Sequence, residues 1–203
     1  MVLAVLPGTL AKQLMRVVAI SVFLASVTIP AGATTLQRLT LDEMAQKSTA
    51  IVRAKVTGSS EIIRGGEIFT TYKFDVLQTL KSGPGVREVA VPGGVAGGMR
   101  QVVAGAPTLS AGREYVLFLW TSRSGLTQLI GMSQGVFSVE RTNAGDLLAS
   151  RSAAGEQMLD AAGRAVRDEA LSIPLNELKA KVSKALAAVS ARAAGTVAPR
   201  TVN

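Results

Sequence analysis

Acidic side chains are the residues of this sequence whose type and spacing could support catalysis, because several fall in or near predicted strands. These acids are Asp75, Glu88, Glu114 and Glu140. Two carboxylates in one cleft suffice for glycoside hydrolysis, where one acts as acid and the other as base or nucleophile. At outward strand positions, however, such acids are ordinarily solvated. We therefore assign no catalytic residue and keep a cysteine-free, carboxylate-dependent hydrolase as the alternative function.

The absence of histidine and cysteine from all 203 residues removes most other enzyme mechanisms. Without imidazole there is no side chain that titrates near neutrality and no Ser-His-Asp triad. Without thiolates there is no cysteine nucleophile, no redox pair and no zinc site built from thiolate and imidazole ligands. A lysine-activated serine and an all-oxygen metal site stay open, but no spacing locates either. We therefore assign no cofactor, no metal ligand and no catalytic residue.

The glycine-rich stretch VPGGVAGGMRQVVAGAP, residues 91–107, has two interpretations. A dinucleotide-binding loop needs Gly-x-Gly-x-x-Gly between a strand and a helix, and a P-loop needs Gly-Lys-Ser or Gly-Lys-Thr. The stretch has neither pattern, so it is typical of a mobile connection between strands. The functional interpretation is a binding loop over the mouth of a barrel. Its candidate residues are Gly93, Gly94, Gly97, Gly98 and Arg100.

The amino terminus has the order of a secretory signal peptide over residues 1–33, with basic residues, then the apolar run VVAISVFLASVTI, then small residues. The basic residues are Lys12 and Arg16, and the small ones are Ala31 and Ala33. This order predicts cleavage before Thr34 and export to the periplasm or the exterior. The run is shorter than the roughly 20 apolar residues of a membrane span, so we expect no stable anchor after cleavage; a retained signal anchor is the alternative. Met15 is a second candidate start.

Three basic residues form a candidate anionic-ligand face. Arg53 and Lys55 alternate with apolar residues in AIVRAKVTG, so they share one face of a strand, and Lys73 belongs to the predicted neighbouring strand. The net charge of +8 favours anionic partners in general. A solvated charged face is the simpler interpretation. Export argues against nucleic acid, so an envelope protein or an anionic envelope polymer is the expected partner.

The elements that must position these residues are mainly β-strands. Thr40 and Glu43 have the spacing of a capping box and predict a short helix over 41–47. Six or seven short strands with glycine-containing turns follow, which favours a small antiparallel barrel or sandwich. AGREYVLFLW is too continuously apolar for a strand with one wet face, so we predict a central strand that is buried on both faces. The predicted core comprises Val52, Val56, Phe74, Val89, Leu117 and Leu119.

Beyond the predicted β domain, residues 34–151, the pattern changes. Residues 152–171 show no period beyond a helical turn or two and are predicted to be a surface excursion. A helix with its cap at Ser172 is predicted over 172–193. Its apolar stripe consists of Leu175, Leu178, Val182, Leu186 and Val189. The stripe has the width of a helix that packs on its own domain, and residues 194–203 are predicted to be a disordered tail.

The order of these segments resembles that of known exported domains. LDEMAQKSTAIVRAKVTG, TYKFDVLQTLKSGPG, AGREYVLFLW and GMSQGVFSV follow one another between Leu39 and Val139. This order is similar to that of a class of exported bacterial domains of unknown function and of the netrin-like modules of tissue metalloprotease inhibitors, which have an OB-type barrel. Those inhibitors use an amino-terminal cysteine and a disulfide framework that this chain lacks, so no inhibitory residue is carried over.

The pattern and the resemblance together imply a mainly β fold. The expected architecture is a small OB-like or netrin-like antiparallel barrel with a short N-terminal helix and a C-terminal amphipathic helix. The expected function is that of an exported, non-catalytic binding or interaction module of the cell envelope. Its candidate sites are the anionic-ligand face and the glycine-rich binding loop.

Overall fold

The structure is a computed structural model that describes residues 35–195 of the chain. These residues form a mainly β protein with antiparallel sheets and two helices, as the sequence predicts. The predicted signal peptide lies outside the described residues, and so does the part of the predicted tail beyond residue 195. Within the described part, no helix is long and apolar enough to cross a membrane.

The strands of residues 35–195 range from two to fifteen residues in length. In chain order they are β1 (Thr35–Gln37), β2 (Ala50–Arg64), β3 (Glu67–Lys81), β4 (Glu88–Pro92), β5 (Gly94–Ala96), β6 (Met99–Gln101), β7 (Glu114–Thr121), β8 (Thr127–Leu129), β9 (Val136–Arg141), β10 (Leu147–Arg151), β11 (Gln157–Leu159), β12 (Ala165–Val166) and β13 (Leu171–Pro174). The helices are α1 (Leu41–Lys47) and α2 (Leu175–Gly195), and a 3₁₀ turn spans Met132–Gly135. The main antiparallel sheet has the order β13-β10-β9-β7-β2-β3-β4, and β8 pairs with β7.

The predicted helix over 41–47 is confirmed, and its capping box is present. Thr40 Oγ1 accepts a hydrogen bond from the Glu43 amide at 3.2 Å, and the Glu43 carboxylate accepts one from the Thr40 amide at 2.8 Å. The hydrogen bonds from the Thr40 amide and hydroxyl lower the pKa of Glu43. At the other end of α1, Lys81 Nζ donates to the carbonyls of Ala45, Gln46 and Ser48 at 2.9, 3.0 and 2.5 Å. Lys81 thus ties β3 to carbonyls that a helix end leaves unpaired.

The central strand β7 is buried on both faces, which confirms the prediction for AGREYVLFLW. Val116 and Phe118 point to one cluster, whereas Tyr115, Leu117 and Leu119 point to the other. The first, called the outer cluster, comprises Met44, Ala45, Ile51, Val116, Phe118, Ile130, Phe137, Val139, Ala149, Leu175, Leu178, Val182 and Ala185. The second, called the inner cluster, comprises Ala50, Val52, Ala54, Val56, Tyr72, Phe74, Val89, Val91, Leu109, Tyr115, Leu117 and Leu119. All the predicted core residues lie in the inner cluster.

The main sheet curls around the inner cluster but does not close. Register shifts between β2 and β3, one of them at Gly58, bend this long ribbon. The curl brings β4 against β8, yet no pairing joins these two strands. In the described residues, β13 and β4 are the two ends of the sheet. A closed barrel is therefore not found, and the relation to OB-like or netrin-like barrels stays a prediction.

Residues 152–171 contain strands where the sequence predicts at most a helical turn or two. β11 pairs in parallel with β1, with Met158 opposite Leu36, and β12 pairs with β11. Met158 is fully buried. An ion pair of 3.0 Å between Arg151 and the buried carboxylate of Asp168 fastens the segment to β10. These strands were not predicted, because strands of two or three residues are too short to show a period.

The C-terminal helix α2 begins at Leu175 rather than at Ser172. Ser172 is not its cap, because this part of the chain forms β13 and pairs with β10. Along the predicted stripe, Leu178 and Val182 are buried in the outer cluster, whereas Val189 is 43% exposed. The first half of α2 therefore packs on its own domain, as predicted.

Candidate binding cleft

The glycine-rich stretch forms a regular hairpin. β5 and β6 pair with Gly94 opposite Gln101, and the turn between them consists of Gly97 and Gly98. Their φ angles are +57° and +74°, the left-handed conformation that a two-residue type I′ turn requires at both positions. Glycine is therefore favoured at both turn positions, and the stretch that was predicted to be a mobile connection between strands or a binding loop forms a β-hairpin in the structure.

Side-chain hydrogen bonds anchor the hairpin to β3. Gln101 Oε1 accepts a bond of 2.8 Å from the Ile68 amide, and Thr70 Oγ1 donates to the Gly93 carbonyl at 2.9 Å. Gly94 has a φ of +137°, and a Cβ at this position would lie only 2.7 Å from Thr70 Oγ1. The close approach of the hairpin to β3 thus depends on the missing side chain of Gly94.

A groove of about 420 Å³, called the hairpin groove, lies beside β5 and β6. Its lining includes Tyr72 and Leu109 of the inner cluster and the polar side chains of Glu61 and Gln101. Of the predicted loop residues, those that line the groove are Gly93, Gly94 and Arg100, and those that form the turn are Gly97 and Gly98. The structure thus places the predicted loop at the edge of the inner cluster.

Exposed apolar side chains surround this hairpin. Val95 is 59%, Met99 57% and Val102 78% exposed. Ile63, at the tip of the β2–β3 ribbon, is 51% exposed, and its Cδ1 lies 3.4 Å from the position of a Cβ at Gly97. Single exposed apolar residues are ordinary, whereas several in one small region indicate an interaction surface. The sequence did not predict the exposure of these side chains. The one available signal was the number of apolar residues in a stretch that has neither strand nor helix periodicity.

The predicted anionic-ligand face carries charges of both signs. Arg53 donates to the Glu114 carboxylate from Nη2 at 2.5 Å and from Nε at 3.0 Å. Lys55 is exposed and lies opposite Glu114 on β7 and Asp75 on β3. Lys73, also exposed, lies opposite Glu88 on β4. Each predicted cation therefore has an acid beside it, which reduces the attraction of this face for anions.

Each of the four acids considered for catalysis lies beside a basic residue. Glu114 is paired with Arg53, and Glu140 is paired with Arg113. A different pair, Asp146 and Glu177, lines a groove of about 690 Å³ together with Arg53, Arg141 and Lys179. Asp146 and Glu177 are exposed, whereas a catalytic carboxylic acid is usually held in a water-poor environment. Among residues 35–195, no group of three acids lies close enough to hold a metal.

A second cleft, called the seam, runs between β4 and β8. At one end it holds a cavity of about 460 Å³ whose lining includes Arg64, Thr71 and Arg87. At the other end it holds a cavity of about 250 Å³ whose lining includes Pro107 and Trp120. Trp120 is the only tryptophan of the chain and is 44% exposed. The seam thus combines basic and aromatic side chains beside an open edge of the sheet.

The hairpin groove and the seam are adjacent along β4, since Val91, Pro92 and Pro107 line cavities of both. Together they occupy the side of the molecule on which the sheet fails to close.

No protein-family model matches the chain, and the search of curated proteins gives no match either.

Proposed function

We propose that the chain is an exported, non-catalytic binding or interaction module of the cell envelope, periplasmic or extracellular, and that the hairpin groove is its binding site. The observation that carries the proposal is the hairpin. It is anchored to β3 by side-chain hydrogen bonds, and it still presents Val95, Met99 and Val102 to solvent. An ordered element that keeps apolar side chains exposed is typical of a surface that a partner covers.

The proposal includes the OB-like or netrin-like architecture. The curled sheet holds the inner cluster, and the hairpin groove opens beside Tyr72 and Leu109 of that cluster. OB-folds bind ligands on a strand face and on the loops that adjoin it. The position of the glycine-rich hairpin at the edge of the curl supports this comparison.

An envelope protein suits the hairpin groove better than an anionic polymer does. The charged residues that line the groove are one of each sign, Arg100 and Glu61, so their charges offset each other. The exposed side chains of Val95, Met99 and Val102 supply an apolar surface of the kind that the core of a protein interface buries. The anionic-ligand face is the weaker site, because each of its cations lies beside an acid. Nucleic acid is not expected as a partner.

Substitution of Val102 tests the proposal. Val102→Asp adds a charge to the rim of the groove, and Val189→Asp is the matched control because Val189 is exposed on α2 away from the groove. Both proteins are cross-linked in intact cells and captured, and their envelope partners are quantified by mass spectrometry. We expect Val102→Asp to lower recovery of a specific partner about tenfold, as loss of an interface contact of about 1.4 kcal/mol does. Equal recovery with both variants contradicts the proposal.

The alternative function, a cysteine-free carboxylate-dependent hydrolase, is favoured by one observation, the shared groove of Asp146 and Glu177. Its test is hydrolysis of fluorogenic glycosides by the wild type and by Glu177→Gln, which keeps the shape of the side chain and removes its charge. Turnover that Glu177→Gln abolishes supports the alternative. Absence of turnover in the wild type contradicts it.

A further inference from the structure

β4 is an edge strand with one free side. It is the last strand of the main sheet, and within residues 35–195 it pairs only with β3. The free side of such a strand is a template on which another extended chain can pair. The sheet therefore offers a place for one more strand where it fails to close.

The backbone groups of β4 alternate between β3 and the free side. The Phe74 amide donates to the Arg87 carbonyl at 3.0 Å, and the Gly93 amide donates to the Ile68 carbonyl at 2.8 Å. Ladder bonds of an antiparallel pair fall on alternate residues, so the even-numbered residues of β4 point their amides and carbonyls away from β3. These residues are Glu88, Ala90 and Pro92. Because proline has no amide hydrogen, the free side offers two amides and three carbonyls.

The strand that faces this side is short and is held by one neighbour. β8 has three residues and pairs only with β7. It comes within 8 Å of β4 between Cα atoms, and Ala90 of β4 is 4% exposed. Paired strands lie about 4.8 Å apart, so a strand added to β4 requires β8 to move aside. This movement breaks no pairing between β8 and β4, because β8 pairs with β7 alone among the described residues.

The wider end of the seam carries excess positive charge. Arg64 and Arg87 line it together with one acid, Glu88. Arg64 Nη2 donates to the Ser124 carbonyl at 2.9 Å, whereas Arg87 is exposed and forms no ion pair within the described residues. The hydroxyl of Thr71, in the same lining, is buried without a hydrogen-bond partner. A ligand with carboxylates complements these guanidinium groups.

We propose that the seam binds an extended acidic segment of a partner protein as an additional strand on β4. This inference rests on the proposed function, because it assumes a non-catalytic binding module. It names a partner for that module and assigns the seam, beside the hairpin groove, as the place where the partner binds. The backbone of the segment pairs with Glu88 and Ala90, its carboxylates lie near Arg64 and Arg87, and an apolar side chain lies against Trp120. Strand addition of this kind takes its affinity from main-chain bonds and its specificity from pockets for alternate side chains.

The pattern of the free side favours a polypeptide over an acidic polysaccharide. Amides and carbonyls recur on β4 at a spacing of two residues, which is the repeat of a paired strand. A polyuronate carries carboxylates for Arg64 and Arg87, but it lacks this alternation of donors and acceptors. The apolar cavity beside Trp120 and Pro107 also matches a side chain of a strand.

Selection of a displayed library of random nonapeptides on the purified protein tests the inference. We expect acidic peptides without proline at alternate positions, and binding that shifts the emission of Trp120. The best peptide is then N-methylated either at its odd or at its even amides. Because only alternate amides of a strand face β4, one set of methyl groups must weaken binding about tenfold or more while the other set leaves binding nearly unchanged. Equal binding of both methylated peptides overturns the inference.

The contribution of positive charge in the seam to peptide binding is tested with Arg87→Glu. The matched control is Arg167→Glu, since Arg167 is also exposed and does not line the seam. We expect Arg87→Glu to weaken the acidic peptide about tenfold, because it places like charges together. A selection without acidic bias, or a polyuronate that shifts Trp120 emission as strongly as the peptide does, overturns the inference. If the seam fails these tests while Val102→Asp still lowers recovery of the partner, the proposed function stands and the inference about the seam does not.

Discussion

The two faces of the main sheet each bury a hydrophobic cluster, but they are covered by different means. On the outer face, α1 and α2 cover the sheet, and Met44, Leu178 and Val182 complete the outer cluster. On the inner face, the sheet covers itself by curling, and Leu109 from a loop completes the inner cluster. A helix satisfies its own backbone hydrogen bonds, whereas a curled sheet that does not close leaves backbone groups of an edge strand unpaired.

This difference separates stability from binding in the molecule. The outer face is complete, so we expect substitutions there to lower the free energy of unfolding and to leave binding intact in whatever protein remains folded. The inner face ends in the hairpin groove and the seam, so substitutions at those places are expected to change binding more than stability.

Removal of α2 is expected to have the largest effect. Truncation after Pro174 removes Leu175, Leu178, Val182 and Ala185 from the outer cluster. Burial of a leucine or valine side chain contributes about 1.5–3 kcal/mol, so loss of the two leucines and the valine costs roughly 5–9 kcal/mol, comparable with the whole stability of a typical domain. Thermal unfolding and binding of a dye to exposed apolar surface measure it. An unchanged melting temperature would mean that α2 does not complete the outer face.

Phe118→Ala is expected to cost about 3–5 kcal/mol, because it empties a fully buried position of the outer cluster. Lys55→Ala, on the exposed part of β2, is the control and should change stability by no more than about 0.5 kcal/mol. Urea unfolding of the two variants gives the comparison. Similar losses in both would show that the assignment of side chains to the faces of the sheet is wrong.

Gly94→Ala is expected to cost about 1–3 kcal/mol, because its φ of +137° strains any other residue and its Cβ would collide with Thr70 Oγ1. Gly98→Ala is the matched control, since Gly98 has a φ of +74° with nothing within 4 Å of the added Cβ. It should cost about 1–2 kcal/mol, from conformation alone. Urea unfolding ranks the two variants, and partner capture shows whether the displaced hairpin still binds. A larger cost at Gly98 would contradict the close packing of the hairpin on β3.

The smallest expected effect is the pH dependence that Glu43 contributes. Hydrogen bonds from Thr40 lower the pKa of Glu43 in the folded state. A carboxyl with a depressed folded pKa stabilises the protein above its unfolded pKa of about 4.3, and this contribution is lost as the pH falls through the folded pKa. Glu43→Gln should therefore reduce the difference in melting temperature between pH 6 and pH 3. An unchanged difference would show that the capping box contributes nothing in solution.

Elements with a local cause could be predicted from the sequence, and elements made by distant pairing could not. The capping box of Thr40 and Glu43 acts within one helical turn, so α1 was predictable. β7 was predictable because burial on both faces leaves a continuous apolar run. By contrast, Ser172 has the residue type of a helix cap, and only its pairing with Ser150 of β10 shows that it belongs to a strand.

The candidate site divides in the same way. Gly94 and Arg100 were predicted as loop residues, because a dense run of glycines is typical of a turn or loop whose backbone adopts positive φ angles. The exposure of Val102 was not predictable, because an apolar residue in a sequence looks the same whether it is buried or not. The seam exists only because Ala90 and Trp120 are brought together by the curl of the sheet, and a sequence pattern does not record such a curl.

The parallel pairing of β1 with β11 also has a consequence for the order in which the protein folds. Synthesis delivers the N-terminal end of the chain first, but Leu36 has no strand to pair with until Met158, more than half the chain later, has followed. The β2–β3 ribbon needs only its own turn and can form early. The pairing of β1 with β11 must close a much longer loop and is therefore slower. Pulsed amide exchange during refolding should therefore protect Leu36 after Phe69, which lies opposite Ile62 in the ribbon. We therefore expect β1 to be ordered after the ribbon, so that the predicted cleavage position before Thr34 stays accessible while the ribbon forms.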